Sequence, residues 1–235
     1  MTSISKSQID QLGERLRKGE VSDDDLRRLD SYRESFAEAY HEVVAAVRTA
    51  TGLEPTGRAR KTPFSIIEKL RREKTMKLSQ MQDVAGCRIV IADLPEQNRI
   101  VERLSGAFSK AKVIDRRQRP SHGYRAVHVI ATAGGKIVEI QVRTELQNLW
   151  AQLSEVFADR IDARIKYGAG NRGIQDVLSR ISESVANVEG VEGERGDNKP
   201  LRPNAGDELD DRKAQLRQSL REIKEIIEAL PRKVS

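Results

Sequence analysis

The stretch Ser121–Thr144, SHGYRAVHVIATAGGKIVEIQVRT, decides how the chain is read. Tyr124–Thr132 and Lys136–Val142 are rich in β-branched residues and read as two strands joined by a turn at Gly134 and Gly135, a hairpin pattern. Alternation along the second strand puts Val138, Ile140 and Val142 on one face and Glu139, Gln141 and Arg143 on the other. A charge inside a central strand is costly unless it is paired or bound to a metal, so Glu139 requires a partner. The first strand places Tyr124, Ala126 and His128 on one face and Arg125, Val127 and Val129 on the other. Gly123 leaves room beside Tyr124 for a ligand or a backbone, the tyrosine ring can stack on a nucleobase, and Arg125 can serve either a ligand or a carboxylate.

Outward from the hairpin, Cys87–Ile91 and Val113–Ile114 read as short strands and Asn98–Phe108 as a helix between them. Glu145–Tyr167 reads as one helix carrying Leu149, Trp150, Leu153, Val156, Phe157 and Ile161. Residues 5–51 show helical spacing and predict two helices broken near Gly19, with Ser22 as N-cap ahead of three aspartates. Ser65–Arg72 predicts a third helix. The expected fold is α+β, a mixed central sheet flanked by helices. Residues 1–52 form N-terminal helices on a domain of residues 53–187, residues 188–208, rich in Gly, Pro, Asp and Glu, form a linker or long loop, and residues 209–235 form an amphipathic helix. That helix, with Leu209, Leu216, Leu220, Ile223, Ile227 and Leu230 on one face, either packs back on the chain or meets a partner.

Composition narrows the class. Lys and Arg number 42 against 36 acidic residues, a formal charge of +6, which suits phosphate-rich ligands as well as solvated helix surfaces. The single cysteine, Cys87, falls in an apolar run and reads as a core residue; no disulfide can form within the chain. No apolar run approaches the roughly 18 residues of a membrane span, and the first residues lack a signal-peptide pattern, so a cytoplasmic protein without membrane contact is expected.

Three groups carry chemistry. Asp83 precedes the strand Cys87–Ile91, and together with Glu139 it matches the one or two carboxylates that magnesium takes from protein while keeping water and substrate phosphates. Two unrelated surface carboxylates would show the same spacing. Lys61, Ser65, Lys69 and Arg72 are spaced by four, four and three and line one side of a helix and its entry, a pattern suited to a triphosphate. No GxxxxGK[ST] loop occurs.

In order along residues 58–167, the motifs KTPFSIIEK (61–69), DVAGCR (83–88), HGYRAVH (122–128), EIQVRT (139–144), NLWA (148–151) and KY (166–167) resemble the synthetase domain of RelA/SpoT-like alarmone enzymes, in particular the small alarmone synthetases. The resemblance implies a nucleotidyltransferase-like fold and transfer of the β,γ-pyrophosphate of ATP to the 3′-hydroxyl of GDP or GTP. It implies that Arg58, Lys61, Ser65, Lys69, Arg72 and Arg88 contact ATP, and that Asp83 and Glu139 hold Mg2+, Glu139 alternatively helping to deprotonate the hydroxyl. Tyr124 would stack on the acceptor base, with Arg125, His128, Gln141, Arg143 and Asn148 around it.

Departures from the family pattern lie near substrate contacts: Ala59 and Arg60 where Arg-x-Lys is usual, Pro120 in place of a lysine, and Glu155 in place of a histidine. Part of the family, the toxic small alarmone synthetases, modifies the 3′-terminal adenosine of tRNA or makes adenosine alarmones. The basic run Arg116, Arg117 and Arg119 is compatible with a tRNA end. A nucleotide-binding module without activity is a third reading, which retention of both carboxylates disfavours. The three histidines, His41, His122 and His128, lack the His-Asp metal pattern of the family's hydrolase domain. A synthetase without a hydrolase needs a neutralising antitoxin or a separate hydrolase as partner; the oligomeric state is left open.

Overall fold

Local capping sets each N-terminal helix. In the computed structural model, which describes residues 4–196 and 205–231, α1 (Lys6–Lys18) opens on a reciprocal pair of hydrogen bonds between Ser5 and Gln8 and closes at Gly19. Helix α2 (Asp23–Glu34) opens on the same arrangement between Ser22 and Asp25, with three aspartates facing the positive end of the helix dipole. The single helix expected after Ser22 is broken: α3 spans Ala37–Thr51. At the break the Ser35 hydroxyl donates to the Tyr32 carbonyl at 2.6 Å, a side-chain bond that competes with the helical ladder. Phe36 is thereby buried beside Tyr32, ring edge to face at 5.2 Å, and the Lys136 ammonium lies over both rings.

Strand β1 (Thr56–Arg58) runs antiparallel to β2 (Ala85–Ile91), pairing Thr56 with Arg88 and Arg58 with Gly86. Between them lies α4 (Pro63–Arg72), which packs against α1 and α2. Helix α5 (Leu94–Ala107), β3 (Lys112–Asp115), β4 (Val127–Ala133) and β5 (Lys136–Thr144) follow. The mixed five-stranded sheet has the order β1-β2-β5-β4-β3, so β5 is central. Val138, Ile140 and Val142 are fully buried while Glu139 and Gln141 are half-buried, as the alternation of β5 requires.

The expected helix from Glu145 to Tyr167 is two elements: α6 (Glu145–Arg160) and a 3-10 turn over Ala163–Tyr167. The Asp162 carboxylate accepts from the Arg164 N–H at 2.9 Å and starts the second. Residues 188–208 also differ from the expected linker. Helix α7 (Arg172–Gly196) continues through Val188 to Gly196, and α8 (Ala205–Glu228) begins before Leu209; residues 197–204 lie outside the described residues. Glycines within a helix cost about 1 kcal/mol each, but Val185 and Glu189 are buried and Val188 packs on the core around Trp150, and this burial overrides the weak local propensity. Helix α8 packs back on α6 and α7 through Leu220, Leu216, Ile223 and Ile227. No helix among the described residues is long and apolar enough to cross a membrane.

The chain divides into two compact units, one of residues 1–89, 103–113 and 129–141, the other of residues 90–102, 114–128 and 142–235. The first holds α1 to α4 with Leu12, Leu16, Ile66, Leu70 and Leu78 fully buried. The second is built on Leu146, Trp150, Leu153, Phe157, Leu178 and Val185.

In the first unit Arg15 of α1 donates twice to the Asp25 carboxylate, at 3.0 and 2.7 Å. This hydrogen bonding, against burial and with help from Ser22, holds the Asp25 carboxyl at about 2. A folded-state value below the unfolded one contributes stability above pH 4 that is lost as the pH falls from about 4 to about 2, worth about 1–2 kcal/mol. Asp25→Asn is expected to be less stable than the parent at pH 7 and to lose less stability over that acid range, as read by urea unfolding at a series of pH values; parallel pH profiles would exclude this role.

Candidate functional site

In the first unit a carboxylate sits between two lysines. The Asp83 carboxylate pairs with the Lys61 ammonium and, at 2.8 Å, with that of Lys69. Lys61 is placed by its backbone: its N–H donates to the Val84 carbonyl at 2.7 Å, and its carbonyl accepts from Arg33 of α2 at 2.6 Å. Lys69 is placed by α4, whose first turn is fixed by the Thr62 cap and Pro63. Burial alone would raise the Asp83 carboxyl, but the Lys69 and Lys61 charges outweigh it and draw it down to about 2. Burial pushes the Lys61 ammonium down although Asp83 opposes the shift. The site is thus a charged ion triad in which positive charge is in excess.

Strand β5 carries Glu139, whose carboxylate accepts from Gln141 at 2.8 Å. Gly86 of β2 lies against it: a Cβ there would stand 2.8 Å from the Glu139 carbonyl oxygen, so only glycine permits this approach three residues beyond Asp83. The Cys87 thiol is pushed up to about 12 by burial and by the Glu139 charge, which fits a core residue and excludes a thiolate nucleophile. Hard oxygen donors on one or two carboxylates suit Mg2+, and the two lysine contacts leave lone pairs on Asp83 for it.

Of the other residues expected on the ATP side, Ser65 bonds the Thr62 hydroxyl at 2.8 Å, Arg58 is exposed on β1, Arg88 is half-buried on β2, and Arg72 is exposed beside Glu73. Arg60 is engaged by Glu34 at 2.9 Å, which leaves Arg58 as the arginine of this turn without a structural role in the ion pairs described.

In the second unit four expected residues come together. The Tyr124 hydroxyl bonds His128 Nε2 at 2.9 Å and accepts from Arg143 at 3.0 Å, and Arg143 also donates to Asn148 at 3.4 Å. The Arg143 guanidinium lies 5.0 Å from the Tyr124 ring centre, within cation–π range, and both Arg143 and His128 are buried. The route differs from the expected strand starting at Tyr124, because β4 begins at Val127. Ser121–Tyr124 is a tight turn closed by two backbone hydrogen bonds, with positive φ at His122 (52°) and Gly123 (85°). Gly123 also rests on Trp150, and a Cβ would stand 2.6 Å from its ring.

Arg125, also expected around the acceptor, is engaged elsewhere. Arg125 donates to Ser182 of α7 and to the Arg117 carbonyl, and Gln141 bonds Glu139. Arg117 is held by Asp115, by Asn98 at 2.6 Å and by Gln97, so the basic run does not present three available arginines. Sequence reasoning missed a buried network of Gln97, Thr144, Gln147 and Glu189. The Thr144-x-x-Gln147 capping box was its readable signal; Glu189 lay in the supposed linker.

The family model described as the region found in RelA / SpoT proteins matches residues 57–169, a span that contains every residue of both clusters. Residues 57–169 are thus similar to the RelA/SpoT region. Over 123 residues, 51% of this chain, it is 41% identical to the uncharacterized protein Rv1366 of Mycobacterium tuberculosis and covers 44% of that protein, so the chain spans less than half the length of this curated relative. It is 29% identical to the GTP pyrophosphokinase YjbM of Bacillus subtilis over 151 residues, 57% of this chain and 70% of that one. The small alarmone synthetase 1 of Bacillus subtilis, solved with its product pppGpp, superposes with a TM-score of 0.53 at 27% identity, covering 74% of this chain and 97% of that one. A Streptococcus mutans protein gives a TM-score of 0.50 at 26% identity, covering 81% and 98%. The α+β fold with its mixed sheet is the fold of these two solved structures.

Within residues 57–169, Gly123→Ala is expected to lower stability by about 2–4 kcal/mol, since it combines a left-handed backbone with a clash against Trp150. Gly106→Ala, in α5 with open space around it, is expected to be neutral or to add up to about 1 kcal/mol. Thermal unfolding of both variants checks the contrast; equal effects would contradict it.

Proposed function

We propose that the chain is a Mg2+-dependent pyrophosphokinase that transfers the β,γ-pyrophosphate of ATP to the 3′-hydroxyl of GDP or GTP. The observation that carries this reading is the Lys61–Asp83–Lys69 triad, which offers two ammonium groups and a carboxylate at one point of a RelA/SpoT domain. A polyphosphate matches the excess positive charge, and Mg2+ held by Asp83 and Glu139 would supply further neutralisation of the transferred group. Lys61 and Lys69 then turn toward phosphate oxygens, with Ser65, Arg58, Arg72 and Arg88 as further donors. Glu139 accepts the proton of the 3′-hydroxyl as its oxygen bonds to the β-phosphorus and the bond to the α,β-bridging oxygen breaks, releasing AMP. Positioning and charge do most of this work, as in phosphoryl transfer generally.

Tyr124, His128, Arg143 and Asn148 are the acceptor group in this reading, with an aromatic face and several hydrogen-bonding atoms suited to a purine nucleotide. Transfer to a tRNA 3′ end remains the alternative outcome of the test. The engagement of Arg117 within its own unit argues for the free nucleotide, because a tRNA surface depends on available cations.

Incubation with γ-labelled ATP and Mg2+ is expected to label added GDP or GTP; label in deacylated tRNA alone would overturn the choice of acceptor. Glu139→Gln is expected to lower transfer at least about 100-fold with an unchanged unfolding transition. It is a cleaner probe than Asp83→Asn, which also removes the counter-charge of two largely buried ammonium groups. Turnover of Glu139→Gln within a few-fold of the parent would remove Glu139 from the reaction.

A further inference from the structure

The first turn of α6 joins two residues of the proposed acceptor group. Arg143 lies on β5 one residue before the Thr144 cap, and Asn148 follows Gln147. Thr144 and Gln147 are 1% exposed, and they cap one another: the Gln147 N–H donates to the Thr144 hydroxyl oxygen at 3.1 Å, and the Thr144 N–H donates to Gln147 Oε1 at 3.3 Å. Glu189 of α7, 4% exposed, accepts from both, from the Thr144 hydroxyl through Oε1 and from the Gln147 amide through Oε2 at 2.9 Å. Gln97 of α5, fully buried, donates to Gln147 Oε1 at 2.9 Å and to the Val142 carbonyl at 2.8 Å.

A buried carboxylate is an expensive way to fill space, since an apolar side chain of similar volume would pack there without loss of hydration. Burial pushes the Glu189 carboxyl up and its two donors oppose that shift, so the acid is tolerated through geometry. Its two oxygens fix Thr144 and Gln147 relative to one another, and with them the direction in which the neighbouring residues project. The outer side of the same turn is held by α8. Arg217 and Arg221 pair with the Glu145 carboxylate at 2.8 and 2.9 Å, and Lys213 bonds Glu192 of α7 and, at 3.0 Å, the Ala92 carbonyl.

We infer that the first turn of α6 is a positioning device for acceptor recognition, held from inside by Glu189 of α7 and from outside by Arg217 and Arg221 of α8. This rests on the reading of Tyr124, His128, Arg143 and Asn148 as the acceptor group. Glu189 touches no substrate in this account; it acts through Arg143 and Asn148. Helices α7 and α8 are therefore part of the specificity apparatus.

The test measures KM for the acceptor and for ATP separately in Glu189→Ala, Glu189→Gln and the double variant Arg217→Ala/Arg221→Ala, together with equilibrium binding of GDP in the absence of ATP. Glu189→Ala is expected to raise acceptor KM and the GDP dissociation constant at least tenfold while ATP KM stays within twofold. Glu189→Gln, which keeps the volume and one acceptor oxygen, is expected to recover most of the loss. Arg217 and Arg221 are partly exposed, so their removal reports on the outer hold should Glu189→Ala fail to fold; a threefold or larger rise in acceptor KM alone is expected. Unchanged acceptor KM, or acceptor and ATP KM rising together, overturns the positioning role. A parent protein that neither binds GDP nor transfers to it, but acts on another acceptor, refutes the guanosine reading instead; the same KM comparison is then made with that acceptor and decides the positioning role by the same criteria.

Discussion

Asp83 is held between two ammonium groups, and the first unit is organised to keep it there. Three charges of which two repel one another stay together only if their backbones cannot drift apart. Lys61 is therefore bonded at both its N–H and its carbonyl, to Val84 on one side and to Arg33 on the other. Lys69 is carried by α4, whose far end is held by Arg17 of α1, which donates to the Leu70 carbonyl at 3.0 Å and to that of Met76. The N-terminal helices thus supply two arginines that grip the backbone around the lysines. Their apolar faces provide the rigidity, with Leu12, Leu16, Leu29, Ile66 and Leu70 fully buried. A segment that reads in the sequence as an accessory helical layer is, in the structure, a support for the ion triad.

The second unit solves a different problem. Its cluster has one cation, Arg143, among a phenol, an imidazole and an amide, and the cation is buried. Such a group is held by shape and hydrogen bonding more than by charge. The tight turn at Ser121–Tyr124 sets the tyrosine, β4 sets the histidine, and the junction of β5 with α6 sets the arginine and the asparagine. Trp150 supports the turn from below, its own indole N–H donating to the Leu178 carbonyl of α7 at 2.8 Å. Helix α7 thereby touches the cluster's foundations at Leu178, at Ser182 beneath Gly123 and at Glu189.

The sequence was legible where periodicity and local chemistry coincide. The alternation of β5, the hairpin at Gly134 and Gly135, the Ser22 cap and the burial of Cys87 all follow from neighbours in the chain. It was misleading where distant burial decides. Residues 188–196 carry three glycines and several acids, and only the packing of Val185, Val188 and Glu189 within the second unit makes them helical. The same holds for side-chain destinations. Arg117 and Arg125 look like ligands for phosphate because they are basic and lie near the tyrosine, yet Asp115, Asn98 and Ser182 claim them. Periodicity fixes which way a side chain leaves the backbone, and it says nothing about which partner from another element will meet it.

In the proposed reaction the two clusters would divide the work of recognition along physical lines. A triad of two ammonium groups and a carboxylate attracts any polyphosphate, and Coulomb attraction distinguishes poorly between one nucleoside triphosphate and another. Discrimination among bases requires hydrogen bonds, because a site built around donors and acceptors rejects a ligand that leaves them unpaired by several orders of magnitude. In this chain such atoms lie on Tyr124, His128, Arg143 and Asn148, and their directions depend on one turn of helix and one turn of loop. A change in acceptor among related chains would therefore arise with the lysines and Asp83 untouched, through small rotations of these four side chains. Residues that set those rotations, Gly123 against Trp150 and Glu189 against Thr144 and Gln147, are where such a change would begin.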